Sequence, residues 1–294
     1  MLTLRSYAKL NLFLQVLRKR SDGFHSLKTL FERISLHDTV TFKPRHDGRI
    51  VLTCTNPELP VDERNIAMRA ALLLRKRCRR QLDPGAGADI HILKRIPLGS
   101  GMAGGSSNAS TVLIGLSRLW KLNISRKQLI GLAARLGSDC PFFIQDCSFA
   151  LASGRGEKIK AVPALKRIRL RHIIIVPGIN VSTAEIFRKW DKQSTINLTK
   201  PPFNVKILCL ALKNPDLTDI SRYLYNNLEP VTSRSYPQIK RIRRFLATRG
   251  LKSILMSGSG PAVYALVPSP KEAMAICKER SIDRSWKVFC ASTV

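Results

Sequence analysis

Pro97-Leu98-Gly99-Ser100-Gly101-Met102-Ala103-Gly104-Gly105-Ser106-Ser107 is the stretch on which the reading of this chain turns. Upstream, Asp89-Ile90-His91-Ile92-Leu93-Lys94 has the composition of a strand; downstream, Ala109, Val112, Leu113, Leu116 and Leu119 recur at helical spacing. A glycine-rich loop between strand and helix lets backbone N–H groups approach a ligand closely, and the helix adds the partial positive charge of its N-terminus. Ser106 and Ser107 add hydroxyl donors. No Asp or Glu occurs between Asp89 and Asp139, while Lys94 and Arg95 lie just upstream, so the expected ligand is an anion. By itself, such a loop could equally be a capped turn that reverses the chain.

Missing residues narrow the choice of anion. Gly99-Ser100-Gly101-Met102-Ala103-Gly104 matches G-x-G-x-x-G by letter, yet a dinucleotide fold needs an acidic residue about 20 positions further on to hold the ribose, and none is there. No Gly-Lys-Ser/Thr follows the glycines, which removes a P-loop. The lack of H-R-D and D-F-G sequences removes the protein kinases.

Working outward, Leu10 to Leu17 carries the alternation of a strand and Ser21-Asp22-Gly23 the chemistry of a turn. Strands are expected at Thr39 to Pro44 and Gly48 to Cys54, then a helix from Asn65 with Asp62 or Asn65 as its cap. A further helix starts at Ser125 and stops at Gly137, and Phe149 to Ser153 ends a strand. The second half reads as strand from Arg171 to Val176, and helix around Thr183 to Trp190, Lys206 to Leu212 and Ile239 to Thr248. It closes with strands at Leu251 to Met256 and Ala262 to Val267, a helix near Lys271 to Glu279 and a strand at Trp286 to Ala291. The alternation makes the class α+β or α/β, and a length of 294 residues with 44% hydrophobic residues suits two cores.

Lys plus Arg number 50 against 20 Asp plus Glu, a formal net charge of +30, which implies attraction to phosphate, nucleic acid or anionic lipid without choosing among them. Seven cysteines without a C-x-x-C pair suggest neither a disulfide framework nor a zinc ribbon, so a reduced, cytoplasmic setting is expected. Nothing approaches ~18 uninterrupted apolar residues, so no membrane span is expected.

Three blocks then carry a resemblance. Ala8-Lys9-Leu10-Asn11-Leu12-Phe13-Leu14 continued by Arg20-Ser21-Asp22-Gly23-Phe24-His25-Ser26-Leu27, the loop from Pro97 to Ala109, and Ser257-Gly258-Ser259-Gly260-Pro261 stand in the order and nearly whole-chain spread of the GHMP kinase superfamily. Within it, the chain resembles the branch acting on a cytidine-diphosphate-linked methylerythritol. The resemblance implies an α+β, two-domain GHMP kinase fold. Its N-terminal ribosomal protein S5 domain 2-like domain would span 1–153 and its C-terminal ferredoxin-like α/β domain 154–294, with the active site in the cleft between them. It also implies ATP-dependent phosphorylation of the substrate's 2-hydroxyl in non-mevalonate isoprenoid precursor synthesis, with ATP and Mg2+ as cofactors.

Phosphoryl transfer needs the hydroxyl aligned in line with the γ-phosphorus and the equatorial charge neutralised. Asp139, the first acid after the acid-free stretch, could accept the substrate proton. Lys9, the lone cation in an apolar strand, would by resemblance sit beside that carboxylate and touch the transferred phosphoryl. Spacing alone leaves Asp139 equally readable as a turn carboxylate and Lys9 as a snorkelling strand lysine. By the same resemblance, Pro97, Gly99, Ser100, Gly101, Met102, Ala103, Gly104, Gly105, Ser106 and Ser107 wrap the triphosphate, and Asn65 and Lys94 line the adenine pocket. Phe24, His25 and Phe187 hold the cytosine, while Asn11, Thr183, Gly258, Ser259 and Gly260 contact the rest of the substrate.

Two departures stand out: Phe24 replaces the family's usual Tyr, and Ala103 stands at a loop position often occupied by glycine, where its methyl fits if φ is negative. Metal ligands are not legible; Ser106 or Ser107 are the nearest candidates. Two alternatives remain at this level. One is another GHMP small-molecule kinase, acting on homoserine, mevalonate or a sugar. The other is an RNA-binding module built on the runs Arg75 to Arg80, Lys166 to Arg171 and Lys240 to Arg244. A nucleic-acid partner is disfavoured, because those runs interleave no aromatic residues. The oligomeric state is not legible.

Overall fold

The computed structural model describes residues 1–194, 203–214, 216–279 and 281–294. In chain order it contains β1 (Leu2–Lys19), β2 (His25–Arg45), β3 (Ile50–Cys54), α1 (Ile66–Arg77), β4 (Gly87–Leu93), α2 (Gly104–Leu119), α3 (Arg126–Leu136), α4 (Cys140–Ile144), β5 (Phe149–Gly154) and β6 (Lys158–Ala161). There follow β7 (Arg171–Val176), α5 (Thr183–Ser194), α6 (Val205–Ala211), α7 (Leu217–Tyr223), β8 (Tyr225–Asn226), α8 (Glu229–Ser235), α9 (Pro237–Ala247), β9 (Ile254–Met256), β10 (Val263–Leu266), α10 (Pro270–Cys277) and β11 (Lys287–Ser292).

The first sheet runs β3-β4-β2-β1-β8, with β5 also on β2 and β6 on β5. Strand β2 is long enough to hold two neighbours on one edge, Thr39 to Arg45 pairing with β4 and Leu27 to Glu32 with β5. Its other edge pairs antiparallel with β1, and the register slips between Tyr7 and Ala8 and again between Asn11 and Phe13. Such irregularities re-aim side chains, and these two bracket Lys9 and Asn11. One face of the sheet is covered by α1, α2 and α3 through Val40, Phe42, Leu52, Ile90 and Ile92.

The second sheet, β11-β7-β10-β9, is antiparallel throughout. Alternation along β7 sets its two contacts. Ile173 and Ile175 face a helical layer with Ile186 of α5 and Ile239, Ile242 and Leu246 of α9. Ile174 and Val176 join Tyr264 in a core shared with Leu10, Leu12, Leu30 and Ile34 of the first sheet. The run Ile173 to Val176 therefore reads as continuously apolar because both faces are covered.

Most expected elements appear, some with different bounds. Thr39 to Pro44 is the end of a strand that begins at His25 rather than a separate one. Strand β6 still pairs with β5 in the first sheet and β7 opens the second, so the chain first passes between the sheets between Ala161 and Arg171, some residues beyond the division proposed at 153/154. Of the two caps considered for α1, Asn65 takes the role, its Oδ1 accepting from the Ala67 N–H at 2.9 Å. Ser125 caps α3 in a reciprocal box with Gln128.

Candidate active site

Strand β1 delivers Lys9 to the interior. Its backbone N–H donates to Met102 O at 3.1 Å, which ties the strand to the glycine loop. Its ammonium donates to Asn11 Oδ1 at 2.5 Å, lies 5.0 Å from the centre of the Phe31 ring and stands 3.7 Å from Asp139 Oδ2. Burial lowers the Lys9 pKa below the usual lysine value, and the neighbouring Asp139 carboxylate works against that shift. Asp139 occupies the N-cap position of the short helix α4 but caps nothing with its side chain, which is 32% exposed. The two residues proposed for catalysis from sequence are thus brought together, with the carboxylate open on one side.

The loop itself ends in α2, whose N-terminus has no side-chain cap and no acid in its first turn. Those first amides and the dipole of a 16-residue helix are left for an anion. Ala103 takes the left-handed conformation there, φ 55° and ψ 33°. The condition of a negative φ is not met: this residue turns the loop into the helix, a conformation that glycine adopts without strain and alanine only at a cost. Met102 contributes backbone only, since its side chain is fully buried. Ser100 donates to Pro97 O at 2.8 Å, and Ser107 accepts from Ser6 at 2.8 Å and is buried, leaving Ser106 as the partly exposed hydroxyl of the loop's end.

A second glycine loop from the other half of the chain locks onto the first. Ser257 Oγ accepts from the Asn11 N–H at 3.3 Å and donates to Gly101 O at 3.1 Å, and the Ala262 N–H donates to Ser100 O at 3.1 Å. At Gly101, with φ 77°, an added Cβ would meet Ser257 O at 2.3 Å, so only glycine fits. Gly258 and Gly260 also have positive φ, and Ser259 shares a 2.8 Å hydroxyl contact with Thr183 at the start of α5. Asn11 is nearly enclosed: besides Lys9, its Nδ2 donates to Thr29 Oγ1 at 2.8 Å and its carbonyl accepts from the Tyr264 hydroxyl at 3.0 Å.

At the start of α2, Asn65 and Lys94 line a cavity of about 190 Å3 together with Leu59, Pro60, Leu98 and Gly105. Lys94 is held by Asp38, with Nζ–Oδ2 at 2.6 Å, and also donates to Ile96 O at 2.7 Å. Burial lowers its pKa, and Asp38 opposes the shift. Asp38 itself accepts from the Arg95 and Ile96 N–H groups at 2.7 and 2.8 Å and from Asn108 Nδ2 at 2.9 Å. Sequence reasoning missed this organising carboxylate. Its signal was an acid in the same alternation as the apolar Val40 and Phe42.

The expected cytosine residues are arranged differently among themselves. His25 stacks directly on Phe187 at 5.2 Å between ring centres, touches Trp190 edge-on at 5.3 Å and bonds Asp191 Oδ1 through Nε2 at 2.6 Å. Burial raises the Asp191 carboxyl, but Lys19 and His25 outweigh it and hold the group below the usual range. Phe24 is exposed, with the Arg155 guanidinium 5.0 Å from its ring centre. Asp191 and Arg155 are further residues of this corner, and no local signal in the sequence singles them out. Among the described residues, no group of three or more His, Cys, Asp or Glu could hold a metal ion.

Comparison with known proteins places the chain in a family. Residues 65–152 match the GHMP kinases N terminal domain and residues 210–280 the GHMP kinases C terminal domain. The chain is 36% identical over 290 residues to the 4-diphosphocytidyl-2-C-methyl-D-erythritol kinase of Gloeobacter violaceus, covering 99% of this chain and 93% of the relative. It is 37% identical over 279 residues to the same kinase of Alkaliphilus metalliredigens, covering 95% and 92%. A crystal structure of 4-(cytidine 5'-diphospho)-2C-methyl-D-erythritol kinase superposes with a TM-score of 0.81 at 30% identity, covering 99% and 98%. A mevalonate kinase structure, with a TM-score of 0.73 at 14% identity, shares the fold. With a strand-borne lysine, an uncapped helix after a glycine loop and a second glycine loop clasping the first, and with relatives matched end to end, the chain belongs to the GHMP kinases and, among them, to the 4-diphosphocytidyl-2-C-methyl-D-erythritol kinase family.

Proposed function

We propose that the chain transfers the terminal phosphoryl group of ATP to the 2-hydroxyl of 4-diphosphocytidyl-2-C-methyl-D-erythritol, with Asp139 as general base and Lys9 as the cation beside the transferred group. The observation that carries this reading is the slack 3.7 Å pair of Lys9 and Asp139, on a strand bonded to the glycine loop at Met102. Asp139 has an exposed oxygen to take the hydroxyl proton, a contribution typically worth ~10²–10⁴ in rate. Lys9, dry and aimed by Asn11, neutralises charge that develops on the phosphoryl oxygens, where low dielectric strengthens its effect. The loop amides from Gly99 to Gly105 with the α2 N-terminus hold the phosphates. Asn65 and Lys94 form the purine end of the site, and Phe24, His25 and Phe187, with Thr183 and the loop Gly258-Ser259-Gly260, the cytidyl-methylerythritol end. In this assignment Asn11 acts chiefly by holding Lys9.

Mg2+ fits a site of this composition as an ion carried on the nucleotide, where the Ser106 hydroxyl beside phosphate oxygens would match its preference for few protein ligands and leave the Asp139 carboxylate free as base. Bound so, it would supply charge neutralisation across the phosphates.

An ADP-release assay with a panel of alcohols tests the reading. Turnover is expected with the cytidyl substrate and not with mevalonate or homoserine; the opposite preference would remove the substrate assignment. His25→Ala should raise KM for the cytidyl substrate by about tenfold, the worth of a buried hydrogen-bonding contact, with KM for ATP unchanged.

A further inference from the structure

Cys277 closes α10 and Cys290 lies on the edge strand β11, thirteen positions later, with their sulfurs 2.7 Å apart. Both are free thiols; Cys290 is exposed and Cys277 half-buried. Neither touches the kinase site, and spacing could not pair them, because helix and strand are brought together only by the packing of Ala273 and Ile276 under the second sheet. Among the described residues between them, Glu279 pairs with Arg249 and Asp283 with Arg241 at 3.1 Å.

We propose that Cys277 and Cys290 form a reversible disulfide, a modification site that clips α10 to β11 in response to a small-molecule disulfide such as oxidised glutathione. Cys290, the accessible sulfur, attacks as thiolate; one glutathione thiolate leaves and a mixed disulfide forms on Cys290. The Cys277 thiol then loses its proton and attacks Cys290 Sγ, expelling the second glutathione. Two protein thiols are oxidised and one external disulfide is reduced to two thiols. Burial, together with the hydrogen bond and charge of Cys290, pushes the Cys277 thiol up to about 12, so it is a poor first attacker. Capture of Cys290 in the mixed disulfide removes two of those three causes, and the second step is intramolecular between sulfurs already in place.

The test is equilibration of the full chain against graded ratios of oxidised to reduced glutathione. Intact and peptide mass spectrometry are the first readouts and melting temperature the second. The expected result is loss of two hydrogen masses mapped to a 277–290 cross-link, reversed by excess reduced glutathione, with a melting temperature several degrees higher than in the reduced chain. Cys290→Ser should show neither the cross-link nor the rise, and Cys277→Ser should instead retain glutathione on Cys290; kinase turnover is unchanged in both reduced variants. A lasting glutathione adduct on Cys290 in the unmutated chain, a cross-link to any other cysteine, or no mass loss would each overturn the proposal.

Discussion

Two lysines in this site each face an aspartate, and the contrast between the pairs separates scaffold from chemistry. Lys94 and Asp38 are in direct contact at 2.6 Å, both essentially enclosed, and Asp38 is committed further to two backbone N–H groups and to Asn108. Lys9 and Asp139 stand 3.7 Å apart, with the carboxylate partly in solvent and no cap to satisfy. In both pairs burial lowers the lysine pKa and the aspartate opposes it. The physics is shared; the spare capacity of the carboxylate is not. A saturated pair fixes where the loop begins, while an unsaturated one can receive a proton.

The sharpest way to break this contrast is Asp139→Asn. Turnover should fall by about 10²–10⁴, with ATP affinity and the unfolding midpoint close to those of the parent, as read by ADP release and equilibrium binding. A variant that mainly unfolds would put Asp139 in the scaffold. Asp38→Asn should behave in the opposite way: it strands a buried ammonium, which typically costs about 3–5 kcal/mol, and denaturant titration should show a large loss of stability with ATP binding weakened as the loop entrance loosens.

The third comparison concerns protonation. Lys9 is charged below its folded-state pKa, so activity dependent on that charge is present on the acid side of that value. It is lost as pH rises through a value lower than the ordinary 10.5. Replacement by arginine, which stays charged, should remove that alkaline limb from whatever turnover Lys9→Arg keeps. Because Asp139 is what opposes the effect of burial, the Lys9 amine in Asp139→Asn should titrate lower still, by side-chain NMR. The smallest effect is expected at Ala103. Ala103→Gly relieves a left-handed alanine and should stabilise the chain by about 1 kcal/mol, visible in denaturant unfolding with turnover little changed.

Much of this was legible in the sequence. The glycine loop, the helix behind it and the lone acid at Asp139 follow from composition and period, since each is a local signal. The length of β2 was not legible, because the strand serves two partners along one edge and its burial pattern changes where they meet. Helix α4, five residues long, is too short to show a period. The role of Asp38 depends on four groups gathered from two separate stretches, 94–96 and the helix residue Asn108, and the stacking of His25 on Phe187 on a helix that begins far along the chain. Ala103 shows the limit from the other side: its place in the motif was recognised, but its conformation follows from how the loop enters α2.

The clasp between the two glycine loops has a consequence for dissecting the molecule. Gly101 and Ser257 meet backbone to backbone, the Ser100 carbonyl is satisfied by Ala262, and the last residue, Val294, donates back to Arg33. Severing the chain between its sheets would therefore not release a self-sufficient nucleotide module and a separate recognition module; each fragment would carry half of one shared joint, and competence should return only when both are present in the same tube.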